Sequence, residues 1–197
     1  MNYLAHAFFA DPTPASLLGS LMGDFVKGPL HERYAADVRR AIALHRRIDA
    51  ITDAHPVTLA SRARMAASHR RFAGIIIDVA YDHFLARHWT DYARVPLAAF
   101  VAEVYAALQC QQAVMPERMQ RVVPRMIAQD WLASYRELDS IDAAFKGISK
   151  RLSRPNTLAS AIDEVTRNYG DLCADFRAFF PDLIVKVERC KAALPAP

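Results

Sequence analysis

Apolar residues return every three or four positions along almost the whole of the 197-residue chain, and nowhere does an alternating apolar-polar pattern persist. That spacing puts one apolar stripe on each helix and cannot give a half-buried strand its period of two. With only 6 Gly, the chain has few of the residues that turn-rich β-sandwiches and glycine-rich phosphate loops depend on. The fold class predicted is all-α, a single helical domain over residues 1–197. Hydrophobic residues make up 53% and charged residues 23% of the chain, which excludes a disordered tail and a coiled-coil rod.

Punctuation by Pro, Gly and capping residues predicts helices near 3–10, 14–25, 35–52, 57–68 and 72–89. Further helices are predicted near 96–110, 116–135, 140–152, 158–180 and 181–193, with a kink at Pro124 and a frayed tail at Leu194–Pro197. The helix over 72–89 is apolar nearly all round, through Ile75, Ile76, Ile77, Val79, Ala80, Phe84 and Leu85, so it is expected at the centre of the molecule. No stretch approaches the roughly 18 uncharged apolar residues of a membrane span. The N-terminus carries no basic residue before its apolar run, so no signal peptide is expected. Cys110, Cys173 and Cys190 are too few and too scattered for a disulfide framework or a C-x-x-C metal site, and suit buried or incidental thiols in the cytoplasm. The formal charge of +4 permits an acidic partner, and no nucleic-acid-binding motif accompanies it.

All 7 His lie at or before His88. The densest cluster is Asp78-Val-Ala-Tyr-Asp82-His83, set inside the most apolar helix. Asp78 and Asp82 are one turn apart and share a face; two buried carboxylates repel each other and lose hydration, and a divalent cation relieves both costs. The competing reading is an Asp capping a turn and a core His bonded to backbone. A second stripe, His45, Asp49 and Asp53, also repeats at one-turn spacing, and there Arg46 and Arg47 pairing with the carboxylates is the alternative. Asp24 in Met22-Gly23-Asp24-Phe25 and His6 in Tyr3-Leu4-Ala5-His6 each sit among apolar neighbours. Four separate helices thus offer His or Asp toward one core, the way helical metal hydrolases build their sites.

Met1-Asn-Tyr-Leu-Ala-His6, Gly23-Asp24-Phe25-Val-Lys-Gly28, His45-Arg-Arg-Ile-Asp49 with Thr52-Asp53, and Asp78-Val-Ala-Tyr-Asp82-His83-Phe-Leu-Ala-Arg-His88-Trp89 together resemble the acyl carrier protein phosphodiesterase family. The Trp131 region and Tyr135-Arg136 extend the likeness. The resemblance implies hydrolysis of the phosphodiester linking 4′-phosphopantetheine to a Ser of holo-acyl carrier protein, an acidic protein substrate. It implies a divalent metal, Mn²⁺ first and Mg²⁺ second, in a distorted bundle distantly similar to the HD-type phosphohydrolases. The adjacent pair here is Asp82-His83, in reversed order. The metal ligands expected are Asp24, Asp78, Asp82, His83, His6 and His45. The catalytic set is Asp24, Asp49, Arg46 and His45, with Asp49 activating water or orienting His45 and Arg46 holding phosphate. Arg39, Arg40, Lys27, Arg62, Arg64 and Arg87 are candidates for the carrier-protein face, or else ordinary solvated cations. A helical phosphohydrolase acting on a nucleotide or other small phosphodiester, and a binding module whose Asp and His form buried polar networks, are the alternative functions.

Overall fold

A computed structural model describes residues 1–30 and 32–195. The architecture is all-α, a single domain with eleven helices and no strand among the described residues. They are α1 (Tyr3–Phe8), α2 (Pro14–Met22), α3 (Ala36–Ala54), α4 (Pro56–Ala63), α5 (Ala73–Arg87) and α6 (Leu97–Cys110). After them come α7 (Glu117–Ala128), α8 (Trp131–Ser134), α9 (Leu138–Arg151), α10 (Ala161–Arg167) and α11 (Tyr169–Ala193). No helix among the described residues is long and apolar enough to cross a membrane.

The hydrophobic α5 lies at the centre, as its all-round apolar character predicts, and packs on α1, α4, α9 and α11. Tyr81 and Phe84 of α5 interlock with Phe176 and Phe179 of α11 at centroid distances of 5.3 to 6.0 Å. Each buried ring contributes roughly 1.5–3 kcal/mol through burial, and tilted ring pairs add about 0.5–1.5 kcal/mol. The Tyr81 hydroxyl avoids an unsatisfied burial by pairing with Ser61 Oγ at 2.8 Å.

The α2–α3 pair is the most extensive helix contact. A Cβ on Gly19 would come within 2.6 Å of Ala41 Cβ and 2.7 Å of the Val38 carbonyl, so only glycine allows this approach. Thr13 caps α2 by accepting from Ser16 N–H at 3.2 Å, and Pro14 supplies a preset φ at its first turn.

Two proline expectations are corrected. The chain does not split at Pro124: α7 runs through it, because Met119, Val123 and Met126 form one buried stripe across the position. The break comes at Asp130, which adopts φ 45°; Tyr105 Oη donates to its carboxylate and accepts from Leu132 N–H, both at 3.0 Å. Likewise Pro181 starts no new helix. It lies inside α11, held by buried Phe179, Phe180 and Leu183 on either side, and the boundary falls at Asn168 instead. At the tail, Arg40 donates to the Leu194 and Pro195 carbonyls at 2.8 and 2.5 Å and to that of Lys191 at 2.8 Å, and the last two residues of the segment expected to fray lie outside the described residues. Residues 31, 196 and 197 lie outside the described residues, so the domain expected over 1–197 is described without them.

Candidate metal centre

His6 from α1 and His45 and Asp49 from α3 meet at one point, with Asp24 beside them on the turn after α2. One helical turn separates His45 from Asp49, so both project from the same face of α3. His45 Nδ1 lies 2.6 Å from the Ser20 carbonyl. A carbonyl only accepts, so Nδ1 carries the hydrogen and Nε2 is the ring nitrogen turned to the cluster. That Nε2 faces Asp49 Oδ2 at 3.2 Å and Asp24 Oδ1 at 3.8 Å. The His6 ring stacks on His45 with centroids 3.6 Å apart, and its Nε2 is 3.1 Å from Asp49 Oδ1, off the line of a hydrogen bond. Both His6 ring nitrogens are therefore buried without an aligned partner.

Burial is the largest influence on His6, with the His45 charge next; together they push its pKa down to about 4, so the ring is neutral near pH 7. Burial works to raise Asp49, but the close His45 and His6 rings and the Met1 ammonium outweigh it and hold the carboxyl well below the usual range. Burial raises Asp24 above the ordinary carboxyl value. The side chains of Asp24 and Asp49 remain 42% and 40% exposed, so the cluster opens to solvent through its carboxylates while the imidazoles form its floor.

The donor atoms of His6, His45 and Asp49 all lie within 4.8 Å of one another. Imidazole lone pairs turned toward carboxylate oxygens repel unless a cation lies between them. Neutral nitrogens with carboxylate oxygens suit Mn²⁺ and related divalent ions. The residues thus fit the metal that the sequence led us to expect.

Asp78, Asp82 and His83 are placed elsewhere. Asp82, fully buried, accepts from the N–H groups of Asn2 (3.3 Å), Leu4 (2.7 Å) and Ala5 (3.3 Å), and so anchors the start of α1. Burial pushes its carboxyl up to about 7 against the pull of these donors. His83 donates from Nδ1 to the Tyr135 carbonyl at 2.8 Å and accepts from the Tyr169 hydroxyl at Nε2, 2.9 Å away. A cap and a backbone-bonded core His describe these two residues. Asp78 Oδ1 accepts from the Met1 ammonium at 2.9 Å, and the same ammonium lies 3.7 Å from Asp49, linking Asp78 to the cluster indirectly. Asp53 pairs with Arg62 of α4. Arg46 donates to the Val26 carbonyl at 2.9 Å and steadies the turn that carries Asp24.

Sequence reasoning missed Gly23. A Cβ there would lie 2.2 Å from two ring carbons of His45, so the glycine makes room for the imidazole. It also missed Tyr3, which stacks on Phe25 at 6.4 Å and whose hydroxyl is pushed up to about 12 by burial and then by Asp24. Both stand within the quoted blocks, where a glycine before Asp24 and an aromatic one turn from His6 are the only signals. A cavity of about 410 Å³ is separate from the cluster and is lined by His83, Arg87, Arg136 and Tyr169 among others.

The sequence model of the acyl carrier protein phosphodiesterase family matches residues 1–183. The chain belongs to that family. Acyl carrier protein phosphodiesterases from Photorhabdus laumondii and Serratia proteamaculans are similar to it, at 36% identity over 95% of this chain and 96% of theirs, and 37% over 93% and 96%. One from Salmonella dublin is 35% identical over 96% of this chain and 98% of its own. No solved structure matches the chain. The family blocks that begin at Met1, Gly23 and His45 are those that meet at the cluster.

Proposed function

We propose that this protein hydrolyses the phosphodiester joining 4′-phosphopantetheine to a serine of holo-acyl carrier protein, releasing apo-protein and 4′-phosphopantetheine. The observation that carries this reading is the partly open group of His6, His45 and Asp49, with Asp24 at its edge, in a chain of this family. His6, His45 and Asp49 would hold the divalent ion, Mn²⁺ in the first place and Mg²⁺ in the second. When bound, such an ion polarises the phosphate and lowers the pKa of water.

The chain's own groups supply the remainder. The Ser20 carbonyl fixes the tautomer and aim of His45. Hydrolysis adds water oxygen to phosphorus and breaks the bond to the serine oxygen, which must leave with a proton. Asp24, raised by burial and still exposed, is the group placed to donate that proton to the serine Oγ. Arg46 acts by holding the Asp24 turn through Val26. Cys110, Cys173 and Cys190 are free thiols, which suits the reducing cytoplasm as the place of reaction.

The test is incubation with holo-acyl carrier protein and Mn²⁺, read by mass spectrometry, with a chelated sample alongside. Loss of the prosthetic group in the first and retention in the second is expected. An intact holo-protein in both, from a folded enzyme, would overturn the reading.

A further inference from the structure

The cations considered for the carrier-protein face differ sharply in what they already hold. Arg39 donates to the Tyr34 carbonyl at 2.8 Å, and Arg40 is bonded to the carbonyls of the C-terminal segment. Arg62 pairs with Asp53, and Arg64 with Asp171 and Asp175 at 3.1 and 3.0 Å. Arg39 and Arg40 thus have donors committed to carbonyls, and Arg62 and Arg64 have their charge offset by carboxylates. Arg87 lines the separate cavity beside His83.

Around the mouth of the His6–His45–Asp49 cluster the position is different. Phe25, next to Asp24, stacks on Tyr3, and the Arg118 guanidinium lies 5.8 Å from the centre of the Phe25 ring. Arg118 and Arg151 both lie near enough to the Tyr3 hydroxyl for their charges to act on it, and Lys27 acts in the same way on Asp24. The three come from separate places, the turn after α2, the first turn of α7 and the last residue of α9, and all are exposed. None forms an ion pair or side-chain hydrogen bond among the described residues.

We infer that Lys27, Arg118 and Arg151 form a docking rim that receives an acidic surface of the protein substrate and brings its modified serine to the cluster. This rests on the reading that the substrate is a carrier protein. Uncompensated cations at the entrance to a site raise encounter rates with an acidic partner and hold its register. Arg118, stacked on Phe25, is the most fixed of the three, since a guanidinium over a ring keeps its donors free at the edge.

The experiment compares wild type, an R118E/R151E variant, a K27E variant and an R87E control. Two readouts are used: turnover of holo-acyl carrier protein at low and high salt, and binding of apo-acyl carrier protein by biolayer interferometry. We expect kcat/KM to fall about tenfold or more in R118E/R151E and less in K27E, with kcat nearly unchanged, weaker apo-protein binding and a flatter salt dependence. R87E is expected to match wild type. Unchanged kcat/KM and binding in R118E/R151E, or an equal loss in R87E, would overturn the rim. Should the double reversal not fold by circular dichroism, R118Q/R151Q is expected to shift both readouts the same way by a smaller factor, and no shift again overturns it. Wild type that binds apo-protein through the rim yet never releases phosphopantetheine would refute the catalytic reading alone; wild type that does not bind refutes the rim.

Discussion

At the scale of single residues, Gly23 carries as much of the candidate centre as the ligands do. Its backbone is helical, so alanine would be unstrained; the obstacle is the His45 ring, 2.2 Å from where the methyl would be. The ring cannot retreat easily, because Nδ1–H is tied to Ser20 and the ring stacks on His6. Overpacking of this kind costs about 1–3 kcal/mol. Gly23→Ala is expected to fold, to melt a few degrees lower, and to bind Mn²⁺ at least about tenfold more weakly by titration calorimetry, since misplaced ligand orientation has an effect of that size. Wild-type affinity in a folded variant would show that the glycine serves packing only. The residues also show what a sequence can signal. His45 and Asp49 were legible as a pair because one turn of helix fixes their relation. Asp82 and His83 were legible as anomalous, polar within an apolar helix, but not as to purpose. Their partners are the N–H groups of Leu4 and Ala5 and the Tyr135 carbonyl, far along the chain, and no local spacing reports them.

At the scale of elements, the short α1 depends on α5. Six residues cannot sustain a helix alone. The Asp82 carboxylate satisfies three of the amides at its start, and a negative group is favoured there. Asp82→Ala leaves those amides buried and unpaired, and each such group costs about 1–3 kcal/mol. The loss expected is about 3 kcal/mol or more, a fall in Tm of roughly 6–12 °C for a chain of this size, measured by circular dichroism. His6 rides on α1, so activity should fall with it; a change in Tm below about 2 °C would mean that α1 is held by its apolar side chains instead. The same dependence on packing explains where the helix boundaries were misread. Proline is the strongest breaker in a sequence, yet α7 and α11 continue through Pro124 and Pro181 because buried residues flank each one. The real breaks, Asp130 and Asn168, carry weaker signals.

Over the whole molecule, the concentration of histidine in the first half has a second explanation. Among the described residues, only His6 and His45 of the histidines reach the cluster. His55 faces Asp182 at 3.6 Å, His69 contacts Glu164 at 3.4 Å, and His88 lies 3.4 Å from Cys173 and 3.3 Å from Arg177. With His83 on Tyr169, four histidines of the first half join α10 and α11 to the rest. The all-α class was legible because helical periodicity is local; this joining was not, because it is tertiary. It has a consequence for stability against pH. Burial first lowers His6, to about 4, and also lowers His55, His83 and His88. In the unfolded chain these groups take up protons near pH 6.5, whereas the folded protein resists protonation until lower pH. The unfolded state therefore binds more protons through this window, and stability is full above about pH 6.5 and is lost as pH falls toward 4. Asp82, raised by burial to about 7, acts with the opposite sign: its stability is present below about 3.9, its ordinary value, and is lost as pH rises through 7. Four histidines act against Asp82 and Asp24, the two carboxyls that burial raises, so urea denaturation should give an unfolding free energy that climbs between pH 4.5 and 7, by up to about 1.4 kcal/mol per pH unit for each net proton. Asp82→Asn removes one opposing group, so the climb should steepen even though the variant is less stable at every pH. A flat profile in wild type, or an unchanged slope in the Asp82→Asn variant, would separate acid stability from these buried histidines and from the carboxylate that holds α1.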